Sequence, residues 1–301
     1  VPRLFALLFI SLLSLAAQAE VRVLTSIKPL QLIAAAVQGD LGQPEVLLPP
    51  GASPHHFALR PSDMRRVQEV DLLYWIGPDM ENFLPRVLAS REKPSIAVQD
   101  LAGLTLRRFG QEKGGEGAHE HHDEEHDHDH RPGSLDAHLW LLPANARVIA
   151  TRMAADLSAA DPTNAARYQA NLQAFAGRLE ALDARLKLRL APLAGQPFFV
   201  FHQAFDYFES AYGLQHVGVF SAASEVQPGA RHVAQMRAAL KAAGPSCVFS
   251  EPPLRPRLAQ TLSEGLPVRL AELDALGAKA QSYEQLIDDL GAGLAGCLEG
   301  L

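Results

Sequence analysis

Short runs rich in β-branched and aromatic residues alternate with helical patterns along this chain, and that alternation narrows its fold more than any other feature. "VRVLTSI" (21–27), "EVLLP" (45–49), "DLLYWIG" (71–77) and "PSIAVQD" (94–100) read as strands. Helical patterns fall between them near 29–38, in "PSDMRRVQEV" with Ser62 or Asp63 at its start, and near 79–89. Strands separated by helices are the grammar of parallel βα units. The same grammar returns after residue 195, with strands "PFFVFH" (197–202), "LQHVGVF" (214–220), "SCVFS" (246–250) and "LPVRLAEL" (266–273). Helices are expected near 204–212, 229–243, 256–265 and 282–298. No residue-level repeat relates the two halves.

Helix joins them. "PANARVIATRMAADLSAA" is one segment, and a second opens at Asp161 as N-cap with Pro162 in the first helical position. In the second, Leu172, Phe175, Leu179, Leu182, Leu186 and Leu190 recur at spacings of three and four, which makes one apolar stripe. About 28 residues of helix would reach roughly 42 Å, enough for a stiff strut between two domains. The expected fold is therefore α/β: two lobes, each a small parallel sheet flanked by helices, joined by a long linking helix. The boundaries read as 20–160 for the N-terminal lobe, 161–192 for the linking helix and 193–301 for the C-terminal lobe.

Two stretches fall outside this plan. Residues 1–19 read as a secretory signal: Arg3 supplies a short positive region, residues 4–15 an apolar one, and Ala17-Gln18-Ala19 a small-residue cleavage site after Ala19. Its apolar run of about 14 residues is short for a membrane span of ~20. No cysteine follows the cleavage site, which argues against a lipid anchor. The expected location is outside the cytoplasm. The second stretch, 110–134, is rich in Gly, His and acid, and reads as a mobile, disordered loop inserted in the first half. Its centre, "HEHHDEEHDHDH", holds His119, His121, His122, His126, His128 and His130 among six carboxylates. Those carboxylates account for most of the net charge of −7. The rest of the chain is close to neutral, so it has no basic footprint for nucleic acid.

The chain has two cysteines, Cys247 and Cys297, and an even pair in an exported protein suggests a disulfide. Closing a loop of that length stabilises by ~4 kcal/mol in the chain-entropy model.

Six histidines lie outside the tract: His55, His56, His138, His202, His216 and His232. Three of them sit where α/β proteins place ligands, just beyond the C-terminal ends of strands. His55 follows the second strand in "LLPPGASPHHF", His202 ends "FFVFH", and His138 lies in "LDAHLWLLP" before the first linking helix. One imidazole from each of three distant segments suits a three-nitrogen zinc site with one position left over. His56 is the immediate rival of His55, whereas His216 and His232 read as surface or helix residues.

"LLPPGASPHHFALRPSDMRRVQEVDLLYWIGPDME", "DAHLWLLPANAR", "FVFHQAFDYFE", "VQPGARHVAQMRAAL" and "CVFSEPPLRP" closely resemble the periplasmic zinc-binding proteins of bacterial ABC importers. The likeness runs in order over nearly the whole chain after residue 20 and includes the acidic His-rich insertion. It implies two α/β lobes on a long helix, with metal held in the cleft between them. Carried over motif by motif, its histidine ligands fall on His55, His138 and His202. "AELDALG" resembles the segment where related proteins place an aspartate at the metal, here Asp274. Some zinc members use water instead, or a glutamate directly before the first histidine. Pro54 occupies that last position, so Asp274 or water is the expected fourth ligand. The resemblance also matches Cys247 and Cys297 to a disulfide of zinc-type members.

The function this implies is high-affinity capture of Zn2+ as transported ligand, without catalysis. The expected partners are an inner-membrane ABC permease and an auxiliary periplasmic zinc chaperone, with the protein itself a monomer. Manganese prefers more oxygen ligands, and His202 in the second lobe favours zinc over it. Nickel and copper also accept imidazole. The tract reads as an auxiliary, weaker collector. A secreted zinc hydrolase is the rival of another class, but no H-E-x-x-H is present: "HDEEH" (122–126) places its acids wrongly. A cell-surface metal-binding adhesin is the third reading, weakened by the missing lipidation cysteine.

Overall fold

The computed structural model describes residues 20–110, 133–221, 229–252 and 257–301. The expected leader, residues 1–19, and the His-rich tract both lie outside these residues.

The first half is built on β1 (Val23–Thr25), α1 (Lys28–Gln38), β2 (Glu45–Val46), α2 (Pro61–Glu69), β3 (Leu72–Trp75), α3 (Pro85–Leu88) and β4 (Ser95–Ala97). All its strand pairs are parallel, in the order β2-β1-β3-β4. β1 and β3 are buried throughout, as strands covered on both faces must be. α2 begins with Pro61 in its first turn, and Asp63 reaches back to accept the Arg60 N–H at 3.0 Å. The helix expected near 79–89 is shorter than its pattern. The Met80 and Glu81 amides turn back onto the Gly77 carbonyl, and only Pro85–Leu88 is helical.

α4 (Pro143–Ala160) and α5 (Ala165–Leu190) follow, the latter preceded by one 3-10 turn at Pro162–Asn164. At 26 residues, α5 is about 39 Å long. The expected stripe is its buried face, with Tyr168 added. It packs against α1, α4 and α9 (Tyr283–Leu298). Arg178–Glu284 (2.5 Å) and Arg185–Asp288 (2.9 Å) trim its contact with α9.

The second half contains β5 (Phe198–His202), α6 (Asp206–Tyr212), β6 (Gly218–Ser221), α7 (Ala230–Ala243), β7 (Ser246–Ser250), α8 (Arg257–Ser263) and β8 (Val268–Glu272). Its sheet is again parallel, ordered β6-β5-β7-β8, the same winding as the first. β6 starts later than its apolar run because Leu214 still closes α6, its N–H donating to Glu209 O at 2.9 Å, and Val217 is the first residue whose N–H reaches β5, at Phe198 O (2.7 Å). Cys247 on β7 and Cys297 on α9 are both buried and form a disulfide across 50 residues. The architecture is two parallel α/β lobes with the long helix between them.

Candidate metal centre

Three imidazoles from three separated segments meet in one cavity. His55 stands in the loop after β2, where its backbone N–H donates to Ser53 Oγ at 3.3 Å. His202 is the last residue of β5, an interior strand of the second sheet. His138 precedes a 3-10 turn at Leu139–Leu141 that is locked to the second half: the Trp140 indole N–H donates to Ala275 O (2.9 Å), and the Tyr283 hydroxyl to Trp140 O (2.6 Å). A strand end holds His202 and a clamped turn holds His138, while His55 comes from the loop after β2.

The three side chains are 3–6% exposed. One ring nitrogen from each lies within 4.8 Å of the others. Ring centroids are separated by 5.5 Å (His55–His138), 5.7 Å (His55–His202) and 5.0 Å (His138–His202). A tetrahedral ion bound at 2.0–2.1 Å to three imidazole nitrogens has its ring centroids about 3.2 Å away, hence about 5.2 Å from one another. The observed triangle matches that size. Rings that merely stack or pack edge to face span a wider range, and three at once would not need this one.

Two carboxylates stand behind the rings. Asp136 Oδ1 accepts from the His138 backbone N–H at 3.0 Å and lies 2.8 Å from its Nδ1. Glu251, directly after β7, lies 3.2 Å from His202 Nδ1. A carboxylate on Nδ1 fixes the tautomer, turns Nε2 toward the cavity and makes it a better donor. Asp136 is 1% exposed, and burial pushes its carboxyl up to about 7. The His138 backbone N–H and the fields of His202, Arg107 and His55 pull it the other way. Neither carboxylate is obvious in the sequence. The usable signal is position: D-x-H for Asp136, and the residue just past a strand end beside His202 for Glu251.

Asp274 lines the same cavity, of about 360 Å³, with Glu251 and the three histidines. Its carboxylate, however, is engaged by its own loop. It accepts from the backbone N–H groups of Leu276 (3.1 Å), Gly277 (2.8 Å) and Ala278 (2.7 Å), and it stands outside the three-histidine cluster. His56, beside His55, is exposed. His232 lies on α7 with Nε2 at 3.1 Å from Val219 O. His216 differs from its sequence reading: it is half-buried in the loop before β6, with Nδ1 2.9 and 3.0 Å from the two Glu209 oxygens.

Fold and site together define a class: a two-lobed α/β binding protein with an imidazole cage between its lobes. Known proteins narrow it further. The family described as ZnuA, zinc-uptake complex component A periplasmic, matches residues 23–297, and the chain belongs to that family. The high-affinity zinc uptake system protein ZnuA of Yersinia pestis is 37% identical over 293 residues, covering 93% of this chain and 92% of that protein. The protein of the same name from Brucella abortus (strain 2308) is 35% identical over 314 residues, covering 95% and 93%. A crystal structure of a ZnuA deletion mutant with zinc bound superposes with a TM-score of 0.76 at 25% identity, over 93% of this chain and 98% of that one. A crystal structure of ZnuA gives 0.78 at 24% identity, covering 93% and 100%.

Proposed function

We propose that this protein captures zinc tightly in its cleft and delivers it to an ABC permease for uptake, acting as a carrier and not as a catalyst. One observation carries the reading: three buried imidazoles, each positioned by the fold, form a triangle of the size a single zinc ion requires. His55, His138 and His202 are the ligands on this reading, and water completes the tetrahedron. Asp274 organises the loop that lines the cavity, since three backbone amides already engage its carboxylate. An all-nitrogen protein donor set favours zinc over manganese.

Residues 20–160 and 193–301 serve as the two binding halves, and 161–192 as the strut against which they close slightly. Residues 1–19 direct export, with cleavage after Ala19, and the protein works in the periplasm as a monomer. A periplasmic zinc chaperone is a further partner on this reading. The six-histidine tract raises the local zinc concentration without supplying the tight site.

The test is competitive titration against a zinc chelator. His55→Ala, His138→Ala and His202→Ala should each weaken binding by more than about 100-fold, beyond what loss of an outer partner costs. His56→Ala and His232→Ala should leave it unchanged. Equal losses at His56 and His55 would reassign the ligand.

A further inference from the structure

A second convergence of metal-type donors lies apart from the three-imidazole cluster. Asp206 and Glu209, in α6, and His216, in the loop before β6, bring one donor atom each to within 4.8 Å of one another. The site is largely buried: Asp206 is 6% exposed, Glu209 4%, and the His216 side chain 12%. His216 Nδ1 stands 2.9 and 3.0 Å from the two Glu209 oxygens and 3.7 Å from Asp206 Oδ1. Gln203 Nε2 donates to Asp206 Oδ2 at 2.8 Å. Asp206 Oδ1, by contrast, is buried and receives no hydrogen bond among the described residues.

A buried carboxylate oxygen without a donor is costly, and a second carboxylate beside it adds repulsion. Burial, then the charge of Asp136, pushes Asp206 up to about 6; His216 opposes this and Glu209 adds to it. We propose that Asp206, Glu209 and His216 form a second binding site for a divalent transition-metal ion. Tetrahedral coordination with bonds of 2.0–2.2 Å sets donor atoms about 3.4 Å apart. The separations of 2.9 to 3.7 Å around His216 Nδ1 bracket that value. Entry therefore requires loss of the Nδ1 proton and side-chain shifts of a few tenths of an ångström. One imidazole and two carboxylates, carrying two negative charges, suit zinc and accept manganese more readily than the cleft does. The competing occupant is a proton: an imidazolium bridging the two carboxylates would satisfy the same charges.

The second site sits against the back of the first. Tyr207, next to Asp206, donates its hydroxyl to the Asp136 carbonyl, and Asp136 is the carboxylate that holds His138. Filling it would place positive charge behind the cleft, so each ion should weaken the binding of the other by the same factor. The proposal stands whichever metal the cleft takes.

Crystals of the full chain soaked in zinc chloride, with diffraction recorded on both sides of the zinc absorption edge, test it directly. The expected result is an anomalous peak about 2.0–2.2 Å from His216 Nδ1 and from one oxygen each of Asp206 and Glu209, besides the cleft peak. A cleft peak with nothing at the second position overturns the proposal in favour of the bridging proton. In solution, full-length His55→Ala/His138→Ala/His202→Ala should lose one further Co2+ equivalent when Asp206→Asn and His216→Gln are added. Equal stoichiometry in the two proteins overturns it as well.

Discussion

Asp136→Asn and Asp136→Ala remove different parts of one contact. Oδ1 of Asp136 accepts from both the backbone N–H and the ring of His138, at 3.0 and 2.8 Å. Asparagine keeps an oxygen there but not the charge. A charged hydrogen bond is worth about 1.5–3 kcal/mol and a neutral one about 0.5–1.5, so the loss is about 1 kcal/mol, or about fivefold in zinc affinity. Alanine removes the acceptor altogether at a position that is 1% exposed. Loss of an outer partner to a ligating imidazole weakens metal binding by about 10- to 100-fold. The metal-free protein should respond in another order. Asparagine buries no charge, and the backbone bonds of residue 136 to Arg107 O and from Tyr207 Oη persist. Its melting temperature should therefore hold or rise. Chelator competition gives the affinities and scanning calorimetry of the stripped protein gives the stabilities. Wild-type zinc affinity in Asp136→Ala, or weaker binding by Asp136→Asn than by Asp136→Ala, would refute the reasoning.

Three other outcomes are expected. Cys247→Ala/Cys297→Ala opens a loop spanning 50 residues and should cost about 4 kcal/mol. At about 2–4 °C per kcal/mol the melting temperature falls by about 10 °C, and an unchanged value would count against the entropic account. Glu81 is fully buried, accepts from the Ile76 and Gly77 amides, and burial raises its carboxyl from 4.5 to about 7. The folded state therefore keeps a proton that the unfolded chain releases above 4.5. The associated stability is complete below that pH and is lost as pH rises to about 7, by about 3 kcal/mol. Glu81→Gln should flatten the fall in melting temperature between pH 5 and pH 8; the same slope in both proteins would show that another group carries it. Deleting residues 112–130 should leave the tight cleft equivalent in a zinc titration and remove the weak equivalents of the tract. Loss of the tight equivalent from a folded deletion protein would make the tract part of the primary site.

The sequence was most legible where one physical constraint acts alone. The stripe from Leu172 to Leu190 became the buried face of α5 because a helix in contact with packed neighbours must bury one side. Parallel strands, buried on both faces, show as apolar runs whose ends are blurred, as the late start of β6 illustrates. There the competing element was α6, which keeps the Leu214 amide on Glu209 O. His202 was visible because it ends a strand, where this topology presents ligands, and His55 and His138 through the motifs that resemble the zinc-binding family. Their supporting carboxylates were not, since Asp136 and Glu251 act through contacts that only folding creates. His216 was read as superficial for the same reason: nothing local announces that Glu209 and Asp206 will enclose it. Asp274 was found at the cavity, but the three loop amides it gathers are a matter of backbone path, which composition does not encode.

The placement of the three imidazoles also bears on time. His55 rides on the first sheet's loops, His202 on the second sheet, and His138 on a turn locked to the second half through Ala275 and Tyr283. On the proposed ligand set, an ion cannot depart along a single breaking bond while all three pieces stay seated. Parting the sheets, however, would strip one outer imidazole first and leave the ion on two. Residence in the resting protein is then long, because every escape attempt is answered by two neighbours that have not moved. A partner that wedges the halves apart converts the same ion into a loosely held one within a single motion. Slow leakage and fast hand-over can thus coexist in one site, with the switch between them set by mechanics and not by a change in the donors.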